Sequence, residues 1–107
     1  MGDPGGERPS TSFDVEVAGG VATVTLRGEL DLTTAPELER VVGGSLNDDS
    51  VHTFVFDMSN LAFMDSSGLA VLLQAAARGR VVLRSPSSVI GQIVDNTGLA
   101  GVLEIEP

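Results

Sequence analysis

Asp65-Ser66-Ser67-Gly68 sets a carboxylate and two adjacent hydroxyls between the apolar runs Leu61-Ala62-Phe63-Met64 and Leu69-Ala70-Val71-Leu72-Leu73. Two kinds of chemistry suit that pattern. At a helix start, an Asp or Ser side chain accepts hydrogen bonds from backbone N–H groups that have no partner within the helix. The same end of a helix favours negative charge, so a serine there is also suited to carry a phosphoryl group. By position alone the serines fit the capping role better than a reactive one. Serine hydrolysis does not fit, because no Gly-x-Ser-x-Gly elbow is present and the only histidine, His52, stands a full strand away from the serines.

Other constellations fall away in the same manner. Asp57 ends a short apolar run, as the phosphate-accepting aspartate of a receiver domain does, but such a domain needs a lysine and an acidic pair after an early strand. This chain has no Lys, and Asp48-Asp49 precedes the strand. Asp57 therefore reads as a strand-end turn former. Asp48-Asp49 lacks the alternating acidic spacing and the closing Glu of a calcium loop, and reads as a solvated loop. Gly19-Gly20 lies inside a hairpin pattern and is a turn, not a dinucleotide cradle. No metal or cofactor site is expected.

Composition narrows the field further. The chain has 107 residues, which suffices for one core, with 42% hydrophobic residues and four Phe as its only aromatics. Its six cations are all Arg against fifteen acidic residues, a formal charge of −9. That balance argues against direct nucleic-acid binding and against docking on an anionic membrane, and favours a protein partner. Without Lys there is no Walker-type phosphate loop and no Schiff base, and without Cys there is no thiolate chemistry. A reducing cytoplasm is the default location. No signal-peptide pattern opens the chain, and its apolar runs are too short to span a bilayer.

Residues 1–12, rich in Gly, Pro, Ser and charge, read as a flexible leader, with one domain over residues 13–107. Phe13, Val15 and Val17 alternate with acidic residues before the Gly19-Gly20 turn, and Val21, Val24 and Leu26 follow in a Thr-rich run. This is a hairpin. Thr34-Ala35-Pro36-Glu37 has the form of a capping box, opening a helix with Leu38, Val41, Val42 and Leu46 on one face, weakened by Gly43 and Gly44. Thr53-Phe54-Val55-Phe56 reads as a short strand covered on both faces, hence central in its sheet. A second helix follows from Ser67, with Leu69, Leu72, Leu73 and Ala76 as its buried stripe, ending at Gly79. Val81-Val82-Leu83 is a strand, Ser87 or Ser88 caps a third helix carrying Val89, Ile90, Ile93 and Val94, and residues 102–105 form a last strand. The order predicts an α/β fold: a mixed sheet of about four to five strands with helices on one face.

Three segments of this sequence resemble the STAS domain family, and within it the bacterial anti-sigma-factor antagonists. They are Gly28-Glu29-Leu30-Asp31 with Thr33-Thr34-Ala35, then Phe63-Met64-Asp65-Ser66-Ser67-Gly68-Leu69-Ala70-Val71-Leu72, then Ser85-Pro86 and Thr97-Gly98-Leu99 around the last helix. The Asp-Ser-Ser-Gly-Leu core is the most specific of them. The resemblance implies a STAS fold and a partner switch. The unphosphorylated antagonist binds an anti-sigma factor that is also a GHKL-type serine kinase, which frees the sigma factor and so controls transcription. Phosphorylation reverses the binding and a serine phosphatase resets it. In the family's motif the second serine is the acceptor, matching Ser67. The surface around it matches Asp31, Met64, Asp65, Ser66, Gly68 and Leu69, as partner-binding positions. ATP, Mg²⁺ and the catalytic groups would belong to the partner, so the chain would be substrate and regulator, not enzyme. A STAS scaffold or accessory subunit of a transport or stress-signalling assembly, with the serines only as caps, is the alternative. The second helix is shorter than is common in the family, and the sequence stops at Glu106-Pro107, where a final helix is often found. An apolar sheet face left uncovered in this way would leave room for weak self-association.

Overall fold

The structure, a computed structural model, describes residues 10–99 and 101–107. Its elements follow in the order β1 (Ser12–Ala18), β2 (Val21–Leu30), α1 (Ala35–Leu46), β3 (Thr53–Met64), α2 (Ser66–Ala76), β4 (Arg80–Arg84), α3 (Ser88–Asn96) and β5 (Leu103–Glu106). One sheet holds all five strands in the order β1-β2-β3-β4-β5. The first pair is antiparallel and the rest are parallel. The glycine turn explains that difference, since Gly19 and Gly20 both take positive φ and reverse the chain in two residues, whereas parallel neighbours need the longer crossovers that the helices supply.

The core lies on one face of this sheet. Val24 and Leu26 of β2, Phe54 and Phe56 of β3 and Leu83 of β4 join Leu38 and Val42 of α1, Leu72 of α2 and Ile90 and Val94 of α3 in a single buried cluster. Each such side chain contributes about 1.5–3 kcal/mol by leaving water. On the other face, Val55 and Val82 are buried outside that cluster. β3 is thus central in the sheet, as its sequence predicts, but the helices cover only one of its faces; on the other, Val55 pairs in register with Val82 and is shielded by neighbouring side chains alone.

Several boundaries differ from expectation. The leader assigned to residues 1–12 lies mostly outside the described residues, but Ser12 already pairs with Arg27 and begins β1. Thr11 accepts a hydrogen bond from the Glu29 amide at 3.3 Å, and its side chain lies where a Cβ on Gly28 would stand. The strand expected to stop at Phe56 runs on to Met64. Asp57 does not end it. Its carboxylate instead accepts from Ser59 N at 3.0 Å and Ser59 Oγ at 2.8 Å, where the β2–β3 register slips between the pairs Thr25↔Asp57 and Arg27↔Asn60. Those two bonds, the backbone one first, hold the Asp57 carboxyl below its ordinary range. A turn-like side chain inside a strand marks a bulge.

The helices also depart in detail. The capping box does not form: Thr34 makes no side-chain cap, and Glu37 pairs with Arg40 on the helix surface, which holds its carboxyl below the usual range. In α2 the buried face is Gly68, Leu69, Val71, Leu72 and Ala75, while Leu73 and Ala76 are half-buried. Val89, expected on the inner face of α3, is exposed, and Ser87 provides the cap by accepting from Ile90 N at 3.2 Å.

Candidate functional site

β2 and β3 run parallel and come into register at Leu30↔Met64, and the Asp65 amide donates to the Leu30 carbonyl at 3.2 Å. The chains therefore leave the sheet side by side, one as Asp31-Leu32 and the other as Asp65-Ser66. Each exit is fixed by an aspartate. Asp31 Oδ1 accepts from Thr33 N at 3.0 Å and Thr34 N at 3.1 Å, and Thr34 Oγ1 accepts from Asp31 N while donating to the Glu29 carbonyl. The hydroxyl read as half of a capping box closes this turn instead.

At the second exit Asp65, not a serine, is the cap of α2. Its backbone is extended (φ −119°, ψ −169°), and Oδ1 accepts from Ser67 N at 2.8 Å and from Gly68 N at 3.4 Å. Ser66 and Ser67 are the first two helical residues. Neither hydroxyl makes a hydrogen bond among the described residues, and Ser66 is exposed while Ser67 is half-buried. Two of the amides that would cradle an anion at this helix start, Ser67 N and Gly68 N, are thus taken by the Asp65 carboxylate.

The remaining positions matched to a partner surface lie deeper. Met64 and Leu69 are 1% and 8% exposed, and Gly68 is buried. A Cβ on Gly68 would stand 2.5 Å from Leu30 Cγ and 2.9 Å from Met64 Cγ, so only glycine lets α2 lie this close to β2 and β3. These three residues shape the site from beneath. What reaches the surface is Asp31, Asp65, Ser66 and Ser67, together with Leu32 and Phe63, two exposed apolar side chains that sequence reasoning did not single out. The available signal was an apolar residue, Leu32, inside a polar turn; Phe63 lies in a continuous apolar run and carried none.

His52 lies just before β3, at the opposite end of the strand from Asp65, with Nδ1 at 2.8 Å from Thr53 Oγ1. At about 3.3 Å per residue, a strand of that length separates it from the serines by some 30 Å or more. It cannot serve them as a base. A shallow groove on the open sheet face, lined by Val55, Val82, Arg80, Arg84 and Glu104, contains neither serine. Arg80 and Arg84 are already tied to Glu104 and Glu106. Among the described residues no group of His, Asp and Glu is placed to hold a metal ion, and no helix is long and apolar enough to cross a membrane.

The match to known families covers this whole arrangement. The STAS domain description fits residues 12–107. The chain belongs to the STAS domain family. Among its relatives, the anti-sigma-B factor antagonist of Staphylococcus epidermidis is 31% identical over 87 residues, spanning 77% of this chain and 80% of that protein. An anti-sigma factor antagonist from Mycobacterium paratuberculosis superposes with a TM-score of 0.75 at 31% identity, covering 100% of this chain and 91% of the other. The antagonist SpoIIAA superposes in its unphosphorylated form (TM-score 0.65, 27% identity, 78% and 82% of the two chains). It does so again in the phosphorylated form from Bacillus (0.69, 25%, 90% and 92%). This STAS domain thus shares with them the five-stranded mixed sheet and three helices.

Proposed function

We propose that this STAS domain is an anti-sigma factor antagonist whose hold on its partner is switched off by phosphorylation of Ser67. One observation carries the reading: Asp65 caps α2, so Ser67 stands in the first helical turn with its hydroxyl free of structural duty. Relatives at about 30% identity bear the name antagonist, and SpoIIAA exists in a phosphorylated form. The partner is an anti-sigma factor of GHKL-type serine kinase fold, which supplies ATP, Mg²⁺ and the catalytic groups. In the transfer, Ser67 Oγ gives its proton to a base of the partner and bonds to the γ-phosphorus as the bond from that phosphorus to the β,γ-bridging oxygen breaks and ADP leaves. A serine phosphatase hydrolyses the ester and restores binding, all within the cytoplasm.

The modification adds about −1.5 to −2 charges beside the Asp65 carboxylate. The helix tolerates this because its dipole favours negative charge at that end. A partner surface pressed against Ser67 has to strip water from the new charge, which is costly. Incubation of the chain with its anti-sigma factor and labelled ATP tests this directly: the wild type and Ser66→Ala take up label, Ser67→Ala does not, and Ser67→Asp binds the partner more weakly. Label that persists in Ser67→Ala and vanishes in Ser66→Ala sinks the assignment.

A further inference from the structure

Beside the serines the fold leaves two large apolar side chains in water: Leu32 is 76% exposed and Phe63 is 49% exposed. Neither joins the core cluster. Their placement follows from the register. Phe63 is the residue before the Leu30↔Met64 pair, and Leu32 follows Asp31 out of β2 as Ser66 follows Asp65 out of β3. Two apolar groups and the candidate acceptor thus share one end of the sheet. Single exposed apolar residues are ordinary, but a pair at a site whose rim is charged marks an interface.

The charge next to them in sequence is acidic. Residues 28–39 and 58–77 hold Glu29, Asp31, Glu37, Glu39 and Asp65 and not one Lys or Arg. The cations that flank the first stretch, Arg27 and Arg40, are paired with Asp14 and Glu37. An acidic rim around an apolar centre is complementary to a face that is apolar at its centre and basic at its rim.

We propose that Leu32 and Phe63 are the apolar anchors by which the unphosphorylated chain holds its anti-sigma factor, and that the partner presents an apolar pocket to them and basic side chains to Glu29 and Asp31. This rests on the function proposed above. Ser67 faces the partner's bound nucleotide during transfer, so a phosphate left on it meets the phosphates of that nucleotide and not the basic rim. The anchors supply affinity, and the serine supplies the switch.

Calorimetric titration of each purified anti-sigma factor of the host, loaded with ADP, against the wild type, Leu32→Ser, Phe63→Ser, Leu32→Glu, Leu32→Arg and Ser67→Asp tests both parts. The expectation is a loss of at least about tenfold in Leu32→Ser and Phe63→Ser, as central apolar anchors give, and a larger loss in Leu32→Arg than in Leu32→Glu. Thermal melts check folding; if Phe63→Ser melts early, the more exposed Leu32 variants decide. Wild-type affinity in Leu32→Ser overturns the anchor, while weakening by Ser67→Asp in the same series leaves the switch standing. The converse, loss in Leu32→Ser with none in Ser67→Asp, keeps the anchor and removes the switch. Equal binding of Leu32→Arg and Leu32→Glu overturns the basic rim, and no binding by the wild type overturns both proposals.

Discussion

A carboxylate that has accepted two backbone amides stabilises a helix; a hydroxyl beside it that has accepted none is spare. That division of labour between Asp65 and Ser67 is measurable. Asp65→Ala should destabilise the domain by about 1 kcal/mol, the usual cost of losing a cap. Ser66→Ala and Ser67→Ala should each stay within about 0.5 kcal/mol of wild type. Chemical denaturation of the three variants checks this, and equal losses in all three would mean that the serines also cap. Gly68→Ala should cost about 1–3 kcal/mol by overpacking, because its Cβ would press on Leu30 and Met64. That Asp65, Ser66 and Ser67 open a helix was legible in the sequence. Their assignment was not, since Asp and Ser are almost equally good caps and only the extended backbone at Asp65 decides which one reaches the amides.

Element by element, the pattern of apolar residues located every strand and helix, and failed where tertiary pairing extends an element past its own signal. β3 is the case in point. Asp57, Ser59 and Asn60 look like a turn, yet pairing with β2 carries the strand through them as a bulge. Because the folded-state carboxyl of Asp57 sits below its ordinary value, its contribution to stability is present above about pH 3.9, the ordinary Asp value, and lost as pH falls through the folded value. Urea midpoints at neutral pH and near pH 3 should therefore fall further for wild type than for Asp57→Asn. In α1, Gly44 is exposed and a Cβ there would meet nothing within 4 Å. Gly44→Ala should raise stability by about 0.5–1 kcal/mol, read as a higher melting temperature. The Thr34-x-x-Glu37 pattern misled for a local reason: the Asp31 turn claimed the hydroxyl first.

Across the whole molecule, fifteen acidic residues face six arginines. Among the described residues four ion pairs form, Arg27–Asp14, Arg40–Glu37, Arg80–Glu104 and Arg84–Glu106, all exposed and so contributing little apiece. Net repulsion remains. Raising salt from about 10 mM to about 100 mM shortens the screening length from ~30 Å to ~10 Å, and should raise the melting temperature in a scanning measurement, whereas a chain held by its ion pairs would melt earlier. Composition made this legible from the start. What it could not reveal is which end of the sheet bears the site, since that depends on β2 and β3 running parallel.

That direction has a practical outcome. β1 runs opposite to β2, so its first residue, Ser12, lies at the end of the sheet where β2 and β3 release Asp31 and Asp65, and β5, parallel to β4, also finishes toward that end at Glu106. On the function proposed above, a surface linker joined through β1 leaves the sheet on the side the partner approaches. The Gly19 turn points the other way, with open space around its Cα. A cysteine-bearing insertion beside Gly19 would immobilise or label the domain with its serines facing free solution, the orientation that a binding assay on this chain requires.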